Sequence, residues 1–246
     1  MKPSSPVWDA AMLRSLSASC LASLLLTLGA PASADPAPAK TEGPAPAGAQ
    51  PDPAAAAQAD PLTPAPVTQP PAPPQTVRLL QGKLAIELPE GFNAAPLPPG
   101  DASEGTAGAS GMLYTSNERR QVVIVSEAPL PGKLAAADDD KVFLQGAAQG
   151  YVTQQKQASA EYDVTAQDSL RSGSLGLQRI NARGNYAGTP TLNTSLLAGS
   201  GPKLAVVQVI SRADDVQSHQ ALVQEMLQRL PPPAPATRPA APAARK

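Results

Sequence analysis

Leu204-Ala205-Val206-Val207-Gln208-Val209-Ile210 is the most strongly strand-like segment of the chain. It is short, rich in β-branched residues and apolar at both alternating sets of positions, the pattern of a strand covered on both faces of a sheet. Gly199-Ser200-Gly201-Pro202 turns the chain into it, and Ser211-Arg212-Ala213-Asp214-Asp215 closes it. Val216, His219, Val223, Met226, Leu227 and Leu230 then recur at three- and four-residue spacing, which predicts a helix with one face to bury. Asp214 or Asp215 is placed to accept hydrogen bonds from its first free amides. Pro231-Pro232-Pro233 stops it, since proline lacks the amide a helix needs and clashes with the preceding turn. A strand feeding a one-faced helix explains how a domain is held together, and it contains no chemistry.

Upstream, Leu84-Ala85-Ile86-Glu87-Leu88 alternates as a strand and ends at Pro89-Glu90-Gly91, where glycine supplies the positive φ a turn needs. Phe92 follows as a core plug. Residues 93–111 read as a rim loop, because no Gly-Lys-Ser/Thr completes a phosphate loop there. Met112–Thr115 and Gln121–Ser126 are strands joined by the polar tip Ser116-Asn117-Glu118-Arg119-Arg120, where the two arginines are read as a solvated tip. Asp138-Asp139-Asp140 precedes a helical pattern, Val142, Phe143, Leu144, Ala147, Ala148, Tyr151 and Val152. Three acids in that place favour capping and the helix dipole over a cation site, whose alternating oxygen ligands and distal glutamate are missing. Gly146 and Gly150 inside this helix predict close approach of helix to sheet. Tyr162–Leu170, Leu175–Tyr186 and Thr191–Leu197 are three further strands. Asn193-Thr194-Ser195 has the form of a glycosylation acceptor, and its place within a strand argues against modification.

The fold class is therefore α+β: a largely antiparallel sheet of six to seven strands with two main helices packed on it. One domain is expected over residues 77–230, long enough to bury its own core. Residues 35–76 and 231–246 are proline- and alanine-rich arms with too little apolar surface to form a core, and are expected to be disordered.

Residues 1–34 carry the three parts of a signal peptide: Lys2 and Arg14, an apolar run from Leu16 to Leu28, and Ala32-Ser33-Ala34 before Asp35. The run is shorter than the roughly twenty residues a membrane span wants, so cleavage before Asp35 is expected rather than an anchor. The single cysteine, Cys20, lacks the residues of a lipidation box around it. Once the leader is removed no cysteine remains, which excludes a thiolate nucleophile or cysteine-ligated metal. The formal charge of the whole chain is −1, and neither a nucleic-acid surface nor an acidic solvating chain is implied.

Catalytic parts are scarce. The sole histidine, His219, falls on or beside the buried stripe of the last helix, where a packed ring is the plainer reading. No second histidine and no Gly-x-Ser-x-Gly elbow accompany it. Glu87, Glu127, Glu161, Asp163 and Asp168 are the candidates for a carboxylate pair, and their spacing does not say whether they converge. No catalytic, cofactor or metal residue is assigned, no cofactor is expected, and no oligomeric state is predicted.

The leader, the turn Leu88-Pro89-Glu90-Gly91-Phe92, the middle helix, the long strands and the last helix together resemble the DcrB-like envelope proteins of Gram-negative bacteria, which share the sandwich fold of the photosystem protein PsbP. The resemblance spans residues 77–230. It implies a periplasmic accessory protein without an established active site, so no residue's role is carried over. Lipid attachment is not carried over either, because Cys20 does not fit. The expectation is an exported, non-catalytic binding protein of the bacterial envelope, with an envelope protein or cell-wall component as partner. The alternative is a periplasmic hydrolase using a carboxylate pair.

Overall fold

A computed structural model of the chain describes residues 71–101, 106–186 and 188–232. The leader, most of the first arm and the carboxy-terminal tail, and with them the expectations of cleavage, anchoring and disorder, lie outside the described residues.

The fold is α+β. Nine strands and two helices follow one another: β1 (Gln75–Leu79), β2 (Leu84–Leu88), β3 (Asn93–Pro96), β4 (Ser110–Ser116), β5 (Gln121–Pro129), α1 (Lys141–Ala158), β6 (Asp163–Ser172), β7 (Leu175–Tyr186), β8 (Thr189–Ser200), β9 (Lys203–Arg212) and α2 (Val216–Gln228). β1 and β2 form their own hairpin, and the other seven make one antiparallel sheet ordered β3-β4-β5-β9-β8-β7-β6. The run Leu204–Ile210 is thus part of the central strand, β9. Val207 and Val209 point to one face and Val206 and Ile210 to the other, packing in different clusters.

α1 lies over β7 and β8 on one face, with Ala148 and Tyr151 against Ile180 and Leu197. On the opposite face α2 and the β1–β2 hairpin share one core, in which Leu222 and Met226 meet Leu84, Ile86, Leu88 and Phe92 above Val123, Val207 and Val209. Phe92 is fully buried, and Gly91 before it has φ 89°, as the turn requires. The first expected strand belongs to this hairpin and not to the main sheet.

Three local expectations are corrected. Backbone pairing starts at Gln75, ahead of Val77, and the Gly91 amide donates to Ala72 O at 2.8 Å, so the last residues of the arm are tied to the fold. The segment read as a loop from Asn93 contains the edge strand β3, whose Asn93-Ala94-Ala95-Pro96 is exposed throughout and takes its register from β4. Close helix–sheet approach at Gly146 is also wrong, since a Cβ there would meet nothing within 4 Å. The small residues sit on the strands instead: a Cβ on Gly199 would overlap the Phe143 ring, and one on Gly176 would stand 3.0 Å from Leu144 Cδ1.

Gly146→Ala is accordingly expected to stabilise the protein by about 0.5–1 kcal/mol, through helix propensity alone. Gly199→Ala is expected to cost about 1–3 kcal/mol, because the Phe143 ring must leave its place in a packed layer. Paired urea denaturation curves check both signs.

The acidic triplet before α1 divides its work. Asp140 caps the helix, its Oδ1 accepting from the Phe143 amide at 2.9 Å. Asp138 accepts from Lys83 Nζ at 2.8 Å and from Ser200 Oγ at 2.7 Å, bonds that hold its carboxyl below the usual carboxylate range. Asp139 faces Arg171 at 3.3 Å. The triplet therefore pins α1 to the hairpin and to the β6–β7 and β8–β9 turns. At α2 the expected side-chain cap is absent. Asp215 occupies the capping position without capping, and its Oδ2 accepts from Arg120 Nη2 at 3.3 Å.

Candidate functional site

The sheet extends past α2. Because α2 sits over β8 and β9, the Arg179–Arg183 part of β7 and the edge strand β6 extend beyond the helix on its side of the sheet. The step encloses a groove of about 730 Å³ between the side of α2 and the strands. Val216, Val223 and Leu227 give it an apolar wall; Gln220, Gln224 and Gln228 line the same wall at four-residue spacing. Across from them stand Arg179, Asn181 and Arg183 of β7 and Thr165 of β6. Strand alternation accounts for that side: residues 179, 181 and 183 share the face of β7 that looks at α2.

His219 closes the base of the groove. It is 6% exposed, with Nδ1 2.9 Å from Ser211 Oγ and Nε2 2.9 Å from Thr194 Oγ1. The Thr194 hydroxyl gives its only hydrogen to Asn181 Oδ1 at 3.0 Å. Nε2 must therefore be the donor to Thr194, and Nδ1 accepts from Ser211. This neutral tautomer satisfies every partner in the chain, and burial pushes the ring's pKa down to about 4. A serine hydroxyl beside a histidine nitrogen has the outline of a nucleophile and its base. Ser211, however, is fully buried on the central strand, beneath the helix.

The five candidate acids are not gathered around this ring. Asp168, on β6, is held bidentate by Arg179, at 2.8 and 3.0 Å. Asp163 stands opposite Arg183 in the β6–β7 register. Glu87 is on the hairpin, 3.3 Å from Arg229, and Glu161 lies in the turn before β6. Glu127, on β5, accepts from Lys203 Nζ at 3.0 Å and from the Leu80 amide. That second bond fixes the left-handed turn at Leu80 and Gln81, whose φ values are 52° and 60°. Among the described residues, no group of three His, Cys, Asp or Glu side chains is placed to hold a metal ion. No described helix is long and apolar enough to cross a membrane.

Sequence reasoning placed His219, Val216, Val223 and Leu227 on the last helix but did not see the groove. The signal was available in the sequence: Gln220, Gln224 and Gln228 form a polar ridge beside the apolar stripe. Only the strand order shows that this ridge faces protein rather than open solvent. Arg183 carried no signal, since its neighbourhood depends on which strands flank β7.

No protein-family model matches the chain. No curated protein matches it either. Among solved structures, the chain is similar to cyanobacterial PsbP (CyanoP) from Synechocystis sp. PCC 6803, with 10% identity, a TM-score of 0.47, and 64% of this chain and 91% of that one covered. It is also similar to a Pseudomonas aeruginosa protein of unknown function described as a putative regulator, at 13% identity and TM-score 0.38, covering 65% and 98%. A third is LpqN, involved in cell envelope biogenesis of Mycobacterium tuberculosis, at 11% identity and TM-score 0.38, covering 67% and 86%. A PsbP is thus among the structures the chain resembles. Scores below 0.5 carry no function from those proteins to this one.

Proposed function

We propose that this chain is an exported, non-catalytic accessory protein of the bacterial envelope, acting in the periplasm by binding, with the groove beside α2 as its binding surface. The observation that carries the reading is the engagement of His219. Both ring nitrogens are bonded to buried hydroxyls, so no lone pair faces the groove, whereas a general base must reach its substrate's proton. Asp168, the acid that bonds the groove-lining Arg179, is likewise occupied by it. What remains open is a surface of suitable size with an apolar wall and scattered polar groups, the usual make-up of a binding site. Export rests on the leader-like residues 1–34, and the envelope assignment on the Leu88-Pro89-Glu90-Gly91-Phe92 turn and the DcrB-like pattern around it.

Two variants test the reading in a strain lacking the protein. Gln224→Trp fills the groove from an exposed helix position and is expected to abolish complementation while the protein stays folded. His219→Gln removes the ring at the base of the groove but leaves both walls in place, and is expected to complement. The reverse pattern, with both proteins folded, contradicts the proposal and points to chemistry at the histidine.

A further inference from the structure

The groove's free polar groups define what it holds. Resting on the binding reading above, we propose that its occupant is an extended peptide segment of a partner protein, bearing an acidic side chain that meets Arg183.

Gln220, Gln224 and Gln228 are exposed, and none of their amides has a hydrogen-bond partner among the described residues. Four helical residues rise about 6.0 Å, close to the roughly 6.6–6.8 Å that two residues of an extended chain span. A peptide laid along α2 therefore brings a backbone amide or carbonyl to each glutamine in turn, while alternate side chains turn towards Val216, Val223 and Leu227. Twelve helical steps from Val216 to Gln228 give about 18 Å, room for five or six extended residues.

Charge selects among peptides. The lining contains two arginines and no acid. Arg179 is already neutralised by Asp168, but Arg183 is exposed and makes no ion pair among the described residues, although Asp163 faces it in register. A ligand carboxylate at this end gains a guanidinium able to bind it through two parallel hydrogen bonds. Other occupants fit less well. The lining has no phenylalanine, tyrosine or tryptophan to stack on a sugar or to cradle a polyproline helix, and its amide content suits an acyl chain poorly.

The test uses phage-displayed random octapeptides selected on the full mature chain, with Arg183→Glu as a parallel target. Arg119→Glu makes the same charge change at the β4–β5 tip, outside the groove, and serves as control. Acidic peptides with alternating apolar residues are expected to be enriched. Their affinity should fall at least tenfold on Arg183→Glu and stay within twofold on Arg119→Glu. The double variant Gln220→Ala, Gln224→Ala, which changes no charge, is expected to weaken them several-fold, and thermal melts establish that every variant is folded. Failure to enrich acidic peptides, equal losses on the two arginine variants, or a groove crosslink joining two copies of this chain would each overturn the proposal. If groove-filling Gln224→Trp still abolished complementation in those cases, the groove would remain the binding surface and only the occupant's chemistry would be wrong.

Discussion

Leu222→Asp is expected to abolish cooperative unfolding. Leu222 is 1% exposed and sits where α2 meets the hairpin and the sheet, among Leu84, Ile86, Leu88 and Met226. Among the described residues no lysine or arginine is buried, so the new carboxylate would be buried without a partner, at a cost of several kcal/mol. Against a total stability of about 5–15 kcal/mol, that loss removes most or all of the folded population. Val223→Asp, one residue on, is expected to leave a folded protein, because Val223 is half-buried on the groove wall and a carboxylate there reaches water. Circular dichroism melts of the two variants give the comparison, and equal destabilisation would contradict the assignment of α2's inner face.

The second large effect is on acid stability. His219 has a folded pKa of about 4 against an ordinary 6.5, because burial disfavours the imidazolium. As pH falls below 6.5 the unfolded chain binds a proton that the folded chain refuses, so stability falls. The loss continues until pH passes the folded value near 4, and amounts to about 3 kcal/mol over the whole window. His219→Gln is expected to cost about 1 kcal/mol near neutrality and to flatten the stability curve between those two pH values. A further decline below that window remains in both proteins. There Asp138, whose folded carboxyl is more acidic than its unfolded one, loses its bonds to Lys83 and Ser200 as it protonates. Urea denaturation across pH for both proteins separates the two windows. An unchanged slope in the variant would show that the ring is not buried neutral.

How much was legible follows from where each signal resides. β9 and β5 announce themselves through apolar, β-branched runs, β4 and β7 through the polar or glycine-containing turns beside them, and Asp140 announces α1, because those properties are local. β1 and β3 were missed or clipped, since Gln75-Thr76-Val77-Arg78-Leu79 is short and adjoins the proline arm, and Asn93-Ala94-Ala95-Pro96 is held by its partner rather than by its own propensity. The insertion of β9 between β5 and β8 is a pairing across as many as ninety residues, with Gln121 opposite Ser211, and no local pattern encodes it.

The same limit explains the last helix. Three- and four-residue spacing drew a stripe through Val216 and Val223, yet Val216 is 47% exposed and the buried line is His219, Leu222, Met226. α2 is packed on two sides at once, hairpin and sheet, which rotates its inner face by one position. The groove exists because of that rotation together with the overhang of β6 and β7, so it could not be read from the helix alone. Gly146 failed for a related reason: the closeness it suggested is real at α1, but Gly176 and Gly199 on the strands provide it.

The most direct test of the groove as the binding surface is photo-crosslinking in living cells from two exposed positions. One photoreactive residue replaces Gln224 in the groove; the other replaces Gln149, on the outer side of α1. The binding account predicts a discrete adduct with an envelope component from position 224 and none from position 149. The same adduct from both positions, or an adduct from 149 alone, would contradict it.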